Sequence, residues 1–228
     1  MNSYGNAAAR SCTLRRKLER IKESKTLTTL LITLSLAGCY KADIPSTVVL
    51  LGDSLMQETS GGLAFQMLHN DSAPMLINNS MGGMMLAAVE ADKYWGPRLN
   101  NIRAEADVDY VFVSLGINDI NFYRQRPDGI NEMLAEVPQA IDNIARAARG
   151  TEVYWLVPHL ALQDSKVAGP EVDLMRELLA QASRRWDNLN LIYIGNDHSL
   201  FEKDIIHLSG KGQQYVTEEF LSKIGEQR

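Results

Sequence analysis

Short apolar runs and longer amphipathic stretches alternate along this chain from Thr47 onward. The apolar runs predict five strands, at Thr47–Leu51, Met75–Ile77, Tyr110–Leu115, Val153–Val157 and Leu191–Ile194. The stretches between and after them predict five helices, at about Gly62–His69, Met85–Arg103, Asn131–Arg149, Glu171–Trp186 and Gly210–Ile224. Such alternation indicates βαβ units, which require a parallel sheet with right-handed crossovers.

The predicted strands are apolar on both faces, as strands between two helical layers are. The sequence contains no internal repeat and no low-complexity segment. We therefore expect one α/β domain over residues 47–228, with a single five-stranded parallel sheet in a three-layer α/β/α arrangement.

The first 38 residues differ from the rest in composition. Residues 1–25 contain seven Lys and Arg and two acidic residues, and an apolar stretch from Leu27 then ends in small residues before Cys39. This layout is typical of a secretory signal peptide. The apolar part is shorter than the roughly 20 residues of a transmembrane helix. An amphipathic helix packed on the domain is the alternative interpretation.

Leu36-Ala37-Gly38-Cys39 resembles the lipobox of bacterial lipoproteins. The resemblance implies cleavage before Cys39, whose acyl chains would anchor the protein to a membrane without a spanning segment. Residues 1–38 would then be a lipoprotein signal peptide and residues 39–46 a tether. Because Tyr40 rather than Asp follows the cysteine, the resemblance indicates the periplasmic face of the outer membrane, in a bacterial cell envelope.

Without residues 1–38 the chain has 16 Lys and Arg against 26 Asp and Glu, a net charge of about −10. This balance argues against a nucleic-acid partner, because such binding needs phosphate neutralisation. The two cysteines are Cys12 and Cys39, so we expect no disulfide in the mature domain. Its stability must come from its core, which a chain of this length can build.

Polar or glycine-rich residues follow each predicted strand. In a parallel sheet these loops share the carboxyl edge, where open α/β sheets bind ligands. The loops begin at Gly52-Asp53-Ser54, Asn78–Gly83, Gly116–Asp119, Pro158-His159 and Gly195–His198. We therefore expect their side chains to form one cluster.

Ser54 and the pair Asp204 and His207 suggest nucleophilic catalysis. A serine hydroxyl is a poor nucleophile until a base removes its proton, and the usual base is a His oriented by a carboxylate. Asp204 precedes His207 by three residues, a spacing at which two side chains can face each other in a turn. The alternatives are a helix cap for Ser54 and a buried or capping role for His207.

Acyl transfer also needs donors for the developing oxyanion. The candidates are the backbone N–H groups of Ser54 and Gly83 and the side-chain amide of Asn118, although a turn glycine and a loop cap are alternative roles. His159 and Met84 are candidate substrate-binding residues. A metal site built from His159, His198, Asp197 and Asp204 is conceivable, but no paired-ligand spacing supports it. Acyl transfer by a serine and its base requires neither a metal nor an organic cofactor.

The chain resembles the SGNH/GDSL hydrolase family over nearly all of residues 46–224. The matching blocks are Gly52-Asp53-Ser54-Leu55, Gly83, Gly116-Ile117-Asn118-Asp119 and Asp204-Ile205-Ile206-His207. The resemblance implies a flavodoxin-like fold, a catalytic triad of Ser54, Asp204 and His207, and an oxyanion hole of Ser54, Gly83 and Asn118. The family often has a polar residue and Thr after the second-block glycine, where this chain has Met84 and Met85. The α/β-hydrolase pattern G-x-S-x-G is absent around Ser54.

The resemblance further implies a serine esterase that works through an acyl-enzyme on a small-molecule or glycan ester. Three alternatives stay open: a carbohydrate O-acetyl esterase, a lysophospholipase or thioesterase, and a non-catalytic envelope protein with the same fold. An apolar acyl pocket could come from six residues: Met81, Met84, Met85, Trp95, Phe122 and Tyr123. Acyl length, the alcohol of the ester and oligomeric state are open at this point.

Overall fold

The computed structural model describes residues 47–68 and 74–225 of the 228-residue chain. The predicted signal peptide of residues 1–38 and the tether of residues 39–46 lie outside these ranges, and so does Cys39. Within the two described ranges, no helix combines the length and apolarity needed to cross a bilayer.

Five parallel strands form one sheet in the order β2-β1-β3-β4-β5. The strands are β1 (Thr47–Gly52), β2 (Met75–Ser80), β3 (Val108–Ser114), β4 (Glu152–Val157) and β5 (Leu189–Tyr193). The α-helices are α1 (Ser54–Leu68), α2 (Asp92–Glu105), α3 (Ile117–Tyr123), α4 (Gly129–Ala147), α5 (Pro170–Arg185) and α6 (Gly210–Gly225). This architecture confirms the predicted α/β class and the flavodoxin-like strand order.

Helices cover both faces of the sheet. Right-handed crossovers in this strand order put α1 and α6 on one face and α2, α4 and α5 on the other, and the helices contact one another in these two groups. All six residues of β1 are buried. Between the sheet and α6, Phe112 of β3 stacks on Phe220 with ring centroids 4.2 Å apart. The core therefore lies on both sides of the central strands.

Helix α1 begins at Ser54, eight residues before the predicted start at Gly62. Gly61 and Gly62 both lie inside the helix. A Cβ atom at Gly62 would lie 3.1 Å from Oγ1 of Thr217 in α6, so the glycine permits close packing of the two helices. The early start puts Ser54 in the first turn.

The predicted helix over Met85–Arg103 is wrong in its first part, because α2 begins only at Asp92. Before it lies an irregular segment that contains a short 3₁₀ turn at Ala88–Glu90. The backbone N–H groups of residues 86–88 donate to the carboxylate of Asp119, so a distant side chain fixes this segment. Strand β2 and helix α3 also include residues that the prediction assigned to loops, at Asn78–Ser80 and Ile117–Asp119.

The junction between β1 and α1 allows a stability test. A Cβ atom at Gly52 would lie 2.3 Å from Cβ of Met56 and 2.9 Å from the carbonyl oxygen of Ser114. Gly52→Ala should therefore lower the free energy of unfolding by about 1–3 kcal/mol. The matched control is Gly61→Ala, because nothing lies within 4 Å of its Cβ position. Because Gly61 lies in the helix interior, Gly61→Ala should raise the free energy of unfolding by about 0.5–1 kcal/mol. Urea denaturation checks both, and equal effects would contradict the tight packing at Gly52.

Candidate active site

The carboxyl ends of β1 and β3 border the point where the strand order reverses, the usual ligand crevice of open α/β sheets. Ser54 follows β1 and Asn118 follows β3. Gly82 and Gly83 follow β2, which pairs with the other side of β1. The predicted nucleophile and the predicted oxyanion donors thus follow three adjacent strands.

Asp53 fixes the turn in which Ser54 lies. Its backbone N–H donates to the carbonyl of Ser114 on β3 (3.0 Å), and its Oδ1 accepts from the backbone N–H of Leu55 (3.1 Å). Ser54 is the first residue of α1, so its own N–H has no partner four residues earlier within the helix. The local structure leaves that N–H at the carboxyl edge of the sheet.

Asp204 and His207 are hydrogen-bonded, with Oδ2 and Nδ1 2.7 Å apart. The other carboxylate oxygen of Asp204 accepts from the backbone N–H groups of Ile206 (2.9 Å) and His207 (3.0 Å). Burial raises the pKa of Asp204, but the hydrogen bonds from Ile206 and His207 outweigh it and lower the pKa to about 2. The carboxylate is therefore ionised at neutral pH and holds the proton of His207 on Nδ1, which leaves Nε2 free to act as a base.

Backbone hydrogen bonds close the segment that carries this pair, residues 201–208, which we call the acid–base loop. Phe201 and Leu208 form an antiparallel bridge. The N–H of Glu202 donates to the carbonyl of His207 (2.8 Å), and the N–H of Ser209 donates to the carbonyl of Leu200 (2.9 Å). The loop is thus a narrow hairpin-like turn with His207 near its closing end.

Helix α1 meets the acid–base loop at Glu58. Burial raises the pKa of the Glu58 carboxyl, while the nearby His207 and the Leu208 backbone lower it. Ser54 and Glu58 are four residues apart on α1 and therefore lie on the same face of the helix.

The segment with the predicted oxyanion glycine, residues 81–84, is held at three points. The Met81 N–H donates to the carbonyl of Gly52 (3.0 Å), and the Gly82 N–H donates to Oε1 of Gln57 (3.0 Å). Nδ2 of Asn118 donates to the carbonyl of Met84 (2.9 Å). An amide nitrogen carries two hydrogens, so Asn118 can hold this loop and still offer a second N–H to a ligand.

Gly83 lies between these anchors with φ at +78°, a conformation that favours glycine. Nothing lies within 4 Å of the position that a Cβ atom would take there. The backbone at Gly83 is therefore open to a ligand, and a larger residue would be strained by its conformation rather than by its neighbours.

Asp119 is a structural residue of the site to which the sequence analysis assigned no role. Its buried carboxylate accepts hydrogen bonds of 2.7, 2.8 and 3.0 Å from the backbone N–H groups of residues 86–88. These bonds hold the segment that follows Gly83. A sequence signal existed, because an acid between Ile117 and Ile120 at the start of a helix is unusual unless its carboxylate is paired.

Asp53 and Asp119 place two buried carboxyl groups beneath the site. Burial raises the pKa of Asp53 to about 7, and the charge of Asp119 contributes to the shift. Burial also raises the pKa of Asp119, against the three N–H groups that stabilise its ionised form. The floor of the site is therefore polar but closed to solvent.

The two candidate substrate-binding residues occupy different environments. Met84 is half-buried against the core, and its carbonyl is bound by Asn118. His159 is buried, and its ring stacks on Phe201 with centroids 3.7 Å apart. Burial, together with the nearby side chains of Arg176 and His198, lowers the pKa of His159 to about 4, so its ring is neutral at neutral pH. A role in substrate binding stays a prediction for both residues.

Several members of the suggested apolar pocket are core residues. Trp95 and Tyr123 are buried, and Nε1 of Trp95 donates to the carbonyl of Met85 (2.7 Å). Met81, by contrast, is 57% exposed. No group of three or more His, Cys, Asp or Glu side chains in the described part of the chain is arranged to hold a metal ion.

Comparisons with known proteins agree on the fold. No family model and no curated protein matches the chain. Among solved structures, a GDSL-like lipase from Bacteroides thetaiotaomicron is 13% identical to this chain, with a TM-score of 0.59. The aligned region covers 88% of this chain and 98% of the lipase chain. A member of the lipolytic protein G-D-S-L family from Veillonella parvula is 14% identical, with a TM-score of 0.55 and coverages of 78% and 97%.

An acetyl xylan esterase is 15% identical to this chain, with a TM-score of 0.56 and coverages of 78% and 99%. At these identities the likeness concerns the fold. The chain has the three-layer fold of the GDSL lipolytic hydrolases, in agreement with the resemblance noted in its sequence.

Proposed function

We propose that this chain is a serine esterase that hydrolyses carboxylic esters through an acyl-enzyme on Ser54. The observation that carries the proposal is the Asp204–His207 pair, with Oδ2 and Nδ1 2.7 Å apart. It is supported by the position of Ser54 at the start of α1, one turn before Glu58, whose pKa responds to His207. The fold shared with GDSL lipases and esterases supports ester-bond hydrolysis.

The mechanism follows from the roles that these groups can take. Nε2 of His207 removes the proton from Oγ of Ser54, which attacks the ester carbonyl, while Asp204 stabilises the imidazolium. The backbone N–H groups of Ser54 and Gly83 and the second N–H of Asn118 stabilise the oxyanion. His207 then returns the proton to the leaving alcohol. Water, activated by the same base, releases the acid from Ser54.

Within this proposal we favour short acyl groups over the long chains of lysophospholipids. Trp95 and Tyr123, two of the large side chains that could have lined an acyl tunnel, are buried in the core. Since an acetyl xylan esterase shares the fold, an O-acetylated glycan is a second candidate substrate.

A panel of p-nitrophenyl esters from acetate to palmitate, run beside acetylated xylan, tests the acyl preference. We expect kcat/KM to be highest for the acetate or butyrate ester and to fall with longer chains, because Trp95 and Tyr123 are buried in the core and do not line a tunnel for a long chain. A maximum at the longest esters would contradict the short-acyl proposal and favour a lipid substrate.

We also propose that Cys39 carries a lipid anchor at the periplasmic face of the outer membrane, on the strength of the lipobox resemblance alone. Expressed in a Gram-negative host, the chain should enter the detergent phase, whereas Cys39→Ala should stay in the aqueous phase. Mass spectrometry that finds an uncut, unmodified leader would contradict this proposal.

If Ser54 and His207 act as one catalytic unit, the losses of activity caused by replacing each residue should not add in the double variant. Ser54→Ala and His207→Ala should each remove nearly all turnover, and the double variant should be scarcely worse. Asp204→Asn should lower turnover by about the same factor or by less, because the imidazole of His207 can still be partly oriented. Initial rates on p-nitrophenyl acetate check this, with folding verified by circular dichroism.

A fluorophosphonate probe should label wild-type Ser54 and fail on Ser54→Ala. If folded Ser54→Ala kept substantial turnover, Ser54 would be only a helix cap. The non-catalytic alternative would gain support if the wild-type chain neither turned over esters nor reacted with the probe.

A further inference from the structure

Ile205 has a backbone conformation that is unfavourable for its own side chain. Its φ is +56°, in the left-handed region, where a β-branched residue is rare because Cβ crowds the backbone. In the described part of the chain, Val89 and Glu90 are the other residues besides glycine with a positive φ. Only Ile205 lies between Asp204 and His207, the proposed acid and base. Strain of this kind is concentrated at functional sites.

The hydrogen bonds on either side of Ile205 show what its conformation controls. Before it, its own backbone N–H donates to the carbonyl of Glu202 (2.9 Å). After it, the backbone N–H groups of Ile206 (2.9 Å) and His207 (3.0 Å) donate to Oδ1 of Asp204. Oδ2 of the same carboxylate lies 2.7 Å from Nδ1 of His207.

A change of φ at Ile205 rotates everything after this residue relative to everything before it. Relaxation of φ to the ordinary value of about −60° would therefore carry the imidazole of His207 away from the carboxylate of Asp204. The contact between the proposed acid and base thus depends on a conformation that Ile by itself disfavours.

Tertiary contacts hold Ile205 in this conformation. Its side chain is half-buried and packs against the hydrophobic core. The ends of the acid–base loop are fixed as well, because Phe201 bridges to Leu208 and its ring stacks on the buried ring of His159. Relaxation of the turn would have to pull the Ile205 side chain from the core while both ends of the loop stay in place.

We propose that Ile205 is a positioning residue of the acid–base pair, whose left-handed backbone, held by the packing of its side chain, keeps the Asp204 carboxylate on the His207 imidazole. This role rests on the proposed esterase function, in which the same contact fixes the tautomer and the orientation of the base. Ile205 itself undergoes no chemical step, since it acts through its two neighbours.

Glycine and alanine at position 205 separate the backbone conformation from the packing. Both remove the contacts of the Ile side chain with the core. Glycine adopts a positive φ about as readily as a negative one, whereas alanine keeps Cβ and therefore keeps the steric penalty. If the conformation positions the pair, Ile205→Gly should retain more activity than Ile205→Ala. A residue that served only as packing would give the opposite order, because glycine is the larger loss of side chain.

Initial rates on p-nitrophenyl acetate measure this order in the full chain. The left-handed penalty for a residue with Cβ corresponds to a shift in population of about 5–30-fold. We therefore expect kcat to be lower in Ile205→Ala than in Ile205→Gly by up to that factor, with the glycine variant between alanine and wild type. KM should change little in either variant, because the loss concerns the base rather than substrate binding. In thermal denaturation Ile205→Gly should unfold at a higher temperature than Ile205→Ala.

Ile206 provides the matched control. It is the next residue, it is also half-buried against the core, and its φ is not positive. Glycine there adds only flexibility, so Ile206→Gly should be less active and less stable than Ile206→Ala, the reverse of the order at position 205. The inference would be overturned if alanine were the milder change at both positions.

Proton NMR gives a measurement that does not depend on turnover. The Nδ1 proton of His207, in a short bond to a carboxylate, should give a low-field resonance that is absent from His207→Ala. This signal should persist in Ile205→Gly and weaken in Ile205→Ala, and equal signals in the two variants would also overturn the inference. Turnover that persisted in Ser54→Ala would instead reject the proposed function while leaving the resonance and the unfolding temperatures as tests of Ile205, so the two failures are distinguishable.

Discussion

Parallel pairing of β1 with both β2 and β3 is the constraint on which the site depends. In register, Gly52 at the end of β1 lies opposite Ser80 on one side and Ser114 on the other. Because the strands run in the same direction, the segments that follow them leave the sheet at one edge. The chain can then turn into α1 next to residues 81–84 and Asn118, although these groups are far apart in sequence.

Hydrogen bonds to buried carboxylates fix the conformation of the irregular backbone at that edge. Asp119 accepts three backbone N–H groups from a segment about 30 residues earlier, and Asp53 accepts from the N–H of Leu55 in the first turn of α1. Both groups lose solvation, and burial raises the pKa of each. The backbone bonds offset that loss, so these acids stabilise the site geometry rather than the chemistry itself.

The first turns of α1 relate Ser54 to two other loops at that edge. Gln57 accepts from the Gly82 N–H at 3.0 Å, and Glu58, the next residue, lies near enough to the acid–base loop for His207 to affect its pKa. Two adjacent side chains of one helix thus reach residues 81–84 and the acid–base loop. The position of α1 therefore affects both segments together with Ser54.

Local patterns in the sequence by themselves determined the α/β class and the positions of the five strands within a few residues, because apolar periodicity acts over short distances. They also determined the contact between Asp204 and His207, because the two residues are only three positions apart in a turn. Only the tertiary structure decided the start of α1, the path of the chain before Asp92 and the partners of Glu58. Each of these depends on a hydrogen bond or a packing contact between residues far apart in sequence, such as those from Asp119 to residues 86–88. Such contacts exist only after the sheet has brought its loops to one edge, so no local pattern carries them.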